Sequence, residues 1–109
     1  MRHILGALIL ILTAAPALAQ TTTQIGRVTM VRTGWDADSF AVVTTSPLVN
    51  PGGCPTPDGY IAFQPQKGYT TYYAAALLAF ELNVRVQVTV ANTGCIAGRP
   101  KLIGINLLR

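Results

Sequence analysis

Tyr69-Thr-Thr-Tyr-Tyr-Ala-Ala-Ala-Leu-Leu-Ala-Phe-Glu-Leu82, then Asn83, then Val84-Arg-Val-Gln-Val-Thr-Val-Ala91 is the stretch that decides how this chain is read. The first half has helix formers and no Gly or Pro. Tyr69, Tyr73, Ala76, Leu77 and Phe80 fall on one face at helical spacing, which predicts a helix with that stripe turned inward. The second half alternates strictly. Val84, Val86, Val88 and Val90 take one face and Arg85, Gln87 and Thr89 the other, the pattern of a half-buried strand. Asn83 suits the joint, because it tolerates a left-handed backbone and competes with helical hydrogen bonds.

The beginning of the chain reads as an address. Met1-Arg2-His3 is a positive n-region, Ile4 to Leu12 an apolar h-region, and Pro16-Ala-Leu-Ala19 a small-residue cleavage site. The apolar run is about half the roughly 20 residues a membrane-spanning helix needs, so a retained anchor is the weaker reading. Sec export with cleavage after Ala19 is the expectation. A signal peptide then covers residues 1–19 and a single small domain residues 20–109, periplasmic or secreted.

Export changes the chemistry that remains. The eight Lys and Arg become seven against four Asp and Glu, so the formal charge falls from +4 to +3. Those cations (Arg27, Arg32, Lys67, Arg85, Arg99, Lys101, Arg109) are scattered along the sequence, whereas nucleic acid would ask for a stripe. His3 is the only His and leaves with the leader, which removes imidazole as a general base or metal ligand. Cys54 and Cys95 are the only cysteines and reach an oxidising compartment, so a structural disulfide is expected. It closes a loop of about 40 residues, worth on the order of 4 kcal/mol in the chain-entropy model.

Around the central stretch the other segments read in order. Thr21 to Gln24 is a polar lead-in expected to fray. Ile25 to Arg32 alternates imperfectly, with Ile25 and Val31 on one face and Val28 and Met30 on the other, as in a covered sheet. Gly34 to Asp38 is a turn into a second strand, Ser39 to Thr45. Ser46 to Gly59 holds four prolines and three glycines and predicts a loose loop pinned by Cys54. Tyr60 to Phe63 is a short third strand. Asn92 to Pro100 reads as a loop carrying Cys95, and Lys101 to Leu108 as the last strand, with a bend or bulge at Gly104. The order β-β-β-α-β-β, mainly β with one helix and one disulfide, is that of a five-stranded OB-fold-like Greek-key barrel. A flat α+β sheet with its helix on one face is the alternative.

The helix offers more apolar surface than one stripe. Ala75, Leu78, Ala79 and Leu82 lie off the inward stripe, and Glu81 is the only charge in the segment. A helix apolar all round must be covered on both sides, so these four are the expected contacts of a homo-oligomer. The bland reading is a helix tucked under the proline-rich loop, or small alanines left wet.

Tyr73-Ala-Ala-Ala-Leu-Leu-Ala79, Val84-Arg-Val-Gln-Val88, Cys95 and Lys101-Leu-Ile-Gly-Ile105, behind a signal peptide, resemble small exported bacterial proteins similar to AB5 toxin B subunits, of the subtilase-cytotoxin and pertussis-like kind. The resemblance implies a ring with its helices around a pore, a glycan or glycoprotein receptor, and an exported enzymatic subunit as partner. It carries no glycan-contact residue over, because the first hairpin does not align.

Catalysis has little to stand on. No nucleophile sits with a base, and Asp36-Ala-Asp38 fails as a calcium loop because position 12 from Asp36 is Pro47. As a glycosidase pair those two acids lack a deep cleft, and a turn that uses Asp for its own hydrogen bonds explains them. The expectation is a protein that is not an enzyme, with no cofactor and no metal. Binding is better supported. Trp35 beside Asp36 and Asp38 at a hairpin tip offers an apolar plate next to acceptors, which suits a sugar ring, although Trp35 could equally plug a barrel end. Tyr72, partly off the main stripe, is the second candidate. A secreted glycan- or receptor-binding module is therefore the leading reading, and a stand-alone periplasmic OB-fold with a structural or protein-binding role the runner-up. An oligonucleotide binder comes third, and stable membrane insertion is not expected.

Overall fold

The computed structural model describes Gly6 and residues 19–34 and 37–109. Most of the expected signal peptide lies outside the described residues, as do Trp35 and Asp36. The described chain is mainly β with one helix. Its elements are β1 (Gln20–Thr22), β2 (Gly26–Thr33), β3 (Ser39–Thr44), β4 (Tyr60–Phe63), α1 (Tyr69–Leu82), β5 (Arg85–Ile96) and β6 (Arg99–Leu108).

The pairings form a ring. β2 pairs antiparallel with β3, β3 with β4, β6 with β5, and β5 with β2, while β4 runs parallel to β6. β1 extends the β2 edge of β5, pairing Thr22 with Thr89 and Gln20 with Ala91. The lead-in expected to fray is therefore a strand. Thr23 shows why: it is buried, its N–H donates to the Val88 carbonyl at 2.8 Å, and its hydroxyl accepts from the Val88 N–H at 3.0 Å. A polar side chain that closes a main-chain ladder gives no hydrophobic alternation to read.

The valine strand sends Val86, Val88 and Val90 into the core, where they meet Phe40, Val42, Tyr60, Ala62 and Leu102. Fully burying each of these large side chains contributes about 1.5–3 kcal/mol. The imperfect alternation of β2 has a local cause. Val28 pairs with Thr44 and Met30 with Val43, so two steps on β2 face one on β3 and the inward parity shifts. Val28 and Val31 both turn toward the core as a result, and Ile25 and Met30 are exposed. In β6 the ladder slips between Thr89↔Gly104 and Val90↔Leu102, which places a bulge beside Gly104.

Cys54 and Cys95 form the disulfide, with their Cα atoms 5.7 Å apart. Two expectations about its flanks need correcting. Residues 92–100 are a hairpin extension of β5 and β6 rather than a loop, with Ile96 opposite Arg99 and a left-handed tip at Ala97-Gly98. Residues 46–59 are irregular but not loose. The Asn50 side chain holds Cys54 at both its N–H (2.8 Å) and its carbonyl (3.0 Å), and the Val49 N–H donates to the Tyr60 hydroxyl at 3.0 Å. The Thr56 N–H reaches the Gly98 carbonyl at 2.8 Å.

The helix is rotated from the expected stripe. Ala76 and Ala79 are fully buried, with Tyr69, Tyr72 and Tyr73 packed beside them, whereas Leu77 (42%), Leu78 (51%), Phe80 (49%) and Leu82 (59%) stand exposed. Leu77 and Phe80 thus leave the predicted inward face, and Ala79 leaves the predicted oligomer contact for the protomer's own core. Packing explains the choice. The helix sits on β2 and β6 over a small valine core, and alanines let its axis come close where leucines would overfill the space. Asn83 ends the helix in the left-handed conformation, φ 51°, as its position in the sequence implies.

Candidate functional site

The β2–β3 hairpin and the start of α1 meet in an open depression of about 350 Å³, lined by Thr33, Gly34, Ala37, Asp38, Ser39, Tyr69 and Tyr73. The hairpin is held shut locally. Ser39 is buried and its hydroxyl donates to the Gly34 carbonyl at 2.6 Å, while the Asp38 carbonyl accepts from the Gln64 N–H at 2.8 Å. These bonds fix the Asp38 main chain and leave its exposed carboxylate at the rim.

Helical spacing supplies the other wall. Tyr69 and Tyr73 are four residues apart, so their rings come together, 6.2 Å between centroids and 9° from parallel. Phe40, from β3, backs both rings at 5.4 and 5.1 Å. Partial burial, then the nearby Asp38 carboxylate and Tyr73, push the Tyr69 phenol above its ordinary value. All three keep it a neutral hydroxyl at physiological pH, able to donate and accept. The shelf therefore combines two near-parallel tyrosine rings with a carboxylate and phenol hydroxyls, a mixture suited to a polar ring with an apolar face.

Of the residues singled out from sequence, Asp38 lies on this shelf, and Trp35 and Asp36 fall outside the described residues. Tyr72 does not join it. Its ring packs over Gly68 at the foot of α1, so closely that a Cβ on Gly68 would sit 2.5 Å from it. Tyr69 and Tyr73 take its place; their i, i+4 spacing was visible in sequence, but the register of α1 against Phe40 was not. Cys54 and Cys95 are paired, Ala75 is half-buried, and Leu78 and Leu82 lie on the outer side of α1.

Elsewhere two charge clusters form that the sequence does not announce. Asp58 accepts from Arg99 Nε at 2.5 Å and Nη2 at 3.2 Å, and from Arg32 Nη2 at 3.1 Å. The hydrogen bonds from Arg99, then Arg32, hold its carboxyl down at about 2. Arg27, Arg85 and Arg109 gather instead at a groove where α1 ends. Among the described residues no three His, Cys, Asp or Glu side chains come together as metal ligands.

No family model matches the chain, and no curated protein sequence matches it.

Proposed function

We propose that this chain is an exported, non-enzymatic binding module on an OB-fold-like Greek-key barrel, that its ligand is a glycan or glycoprotein receptor, and that it acts as a homo-oligomer similar to AB5 toxin B subunits. The ring of ladders through β5, β2, β3, β4 and β6, with the one helix between β4 and β5, supports the barrel reading. The exposed Leu77 and Leu78 on the outer side of α1 support self-association. No imidazole follows residue 19 and both thiols are oxidised, which supports binding rather than catalysis.

The observation that carries the glycan reading is the Tyr69–Tyr73 wall beside Asp38. A sugar lays its C–H face on an aromatic plane and its hydroxyls on acceptors, and this shelf offers both within one open depression. Trp35 and Asp36 belong to the proposal through their place in the sequence, between Gly34 and Ala37. In a ring of several copies, weak single-site affinity adds up through multivalency, which suits a shallow site. An exported enzymatic subunit is the further partner this reading implies.

A glycan array probed with the exported protein, with Asp38→Ala and Trp35→Ala beside it, tests this. The expected result is binding by the wild type that falls roughly threefold or more in each variant, one lost stacking contact being worth about 0.5–1.5 kcal/mol and one charge-assisted hydrogen bond about 1.5–3 kcal/mol. A wild type silent on the array, or variants that bind as well, contradicts the glycan reading and favours a stand-alone periplasmic role.

A further inference from the structure

The groove at the end of α1 is built from like charges. Arg27 and Arg85 are direct cross-strand partners in the β2–β5 ladder, an arrangement that costs stability when the two charges face each other unaided. Arg109 lines the same groove, which encloses about 470 Å³ between Leu82, Val84 and Leu108. Both ion pairs among the described residues belong to Asp58, so no side-chain carboxylate there answers these three arginines. Main-chain oxygens position two of them: Arg27 donates to the Asn83 carbonyl and Arg85 to the main-chain oxygen of Arg109, the last residue of the sequence. A guanidinium has five N–H donors, so each keeps most of them for another acceptor.

Apolar side chains flank the charges. Leu82 (59% exposed) stands on one lip, and Ile25 (50%) on the other, in an adjoining depression that shares Arg27 and Arg85. We propose that this arginine groove with its Ile25 and Leu82 lips docks the chain on the surface of an anionic lipid bilayer, each arginine taking a phosphate and the two aliphatic side chains entering the headgroup boundary. The pairing of cations with exposed aliphatics is what selects the occupant. A soluble anion would use the arginines and leave Ile25 and Leu82 wet. A second copy offers few acids, and Asp58 among them is already held by two arginines. A bilayer surface uses both kinds of side chain at once. Docking is peripheral: among the described residues no helix is long and apolar enough to cross a membrane. The groove shares no lining residue with the tyrosine shelf, so either proposal can fail without the other.

Co-sedimentation of the exported protein with phosphatidylcholine vesicles, with and without about one-third phosphatidylglycerol, reads this directly. The wild type is expected to partition onto the anionic vesicles only, and to leave them in about 0.5 M salt as the charges are screened. Arg85→Gln and Arg109→Gln should each weaken partitioning roughly fivefold, the worth of one basic residue at such a surface. Leu82→Ser should weaken it without changing its salt dependence, and Lys67→Gln, a cation outside the groove, should leave it unchanged. Circular dichroism confirms that each variant is folded. Absence of binding, equal binding to neutral vesicles, or an equal loss in Lys67→Gln overturns the proposal. So does binding that inorganic phosphate at millimolar concentration abolishes while Leu82→Ser has no effect, since that marks a site for soluble anions.

Discussion

At the scale of the residue, Asp58 joins three parts of the chain, taking Arg32 from β2 and Arg99 from β6 at the mouth of β4. Its carboxyl is held at about 2, against an ordinary 3.8, chiefly by the hydrogen bonds from the two guanidiniums. The folded protein therefore gives up this proton more readily than the unfolded chain does. The stabilisation is complete above about pH 4 and is lost as pH falls toward 2. Asp58 is exposed, so solvent screens the pair and the effect is modest. Urea midpoints at pH 5 and pH 2.5 for the wild type and Asp58→Asn should converge at the lower pH; parallel shifts in the two proteins would contradict the role given to Asp58. None of this cluster was readable beforehand. Three residues at positions 32, 58 and 99 carry no periodicity; the β2–β3–β4 ladders bring Arg32 to Asp58, and the parallel β4–β6 contact brings Arg99.

At the scale of the element, strong periodicity proved legible and weak periodicity did not. The helix bounds, the left-handed Asn83, the inward valines of β5 and the bulge beside Gly104 all follow from residue type and spacing. The polar strand β1 did not, because Thr23 is buried for its hydrogen bonds rather than its hydrophobicity. The face of α1 was misjudged for a related reason. Hydrophobicity favours leucine and phenylalanine inward, but the space above a valine core admits only alanine, and volume outweighs transfer energy there. Ala79→Leu should therefore destabilise the protomer by about 1–3 kcal/mol. Leu78→Ser, on the outer side, should change it by less than about 0.5 kcal/mol when measured at low protein concentration. Chemical denaturation of the two variants distinguishes them; a tolerated Leu at position 79 would place the alanine face elsewhere. The tyrosine shelf was half legible, since Asp38 was found from the turn and Tyr69 and Tyr73 needed the register of α1 on Phe40.

At the scale of the whole molecule, a small core is closed by one covalent bond and leaves one helix face uncovered. The disulfide ties the irregular segment before β4 to the β5–β6 hairpin across 41 residues of chain. Replacing both cysteines with alanine should lower unfolding free energy by on the order of 4 kcal/mol, a large share of what a domain this size possesses. Denaturation of the double variant against the oxidised protein measures it, and a loss below about 1 kcal/mol would mean that the Asn50 clamp and the Thr56–Gly98 bond hold the segment unaided. The uncovered face carries the self-association proposed above. Leu77, Leu78 and Phe80 stand exposed on α1, the kind of apolar surface that marks a protein contact. Sedimentation of residues 20–109 at micromolar concentration tests that reading most directly. The wild type should run as a multiple of the protomer mass, and Leu77→Ser with Leu78→Ser should return it to one protomer; a wild type that sediments as a monomer at every concentration contradicts it.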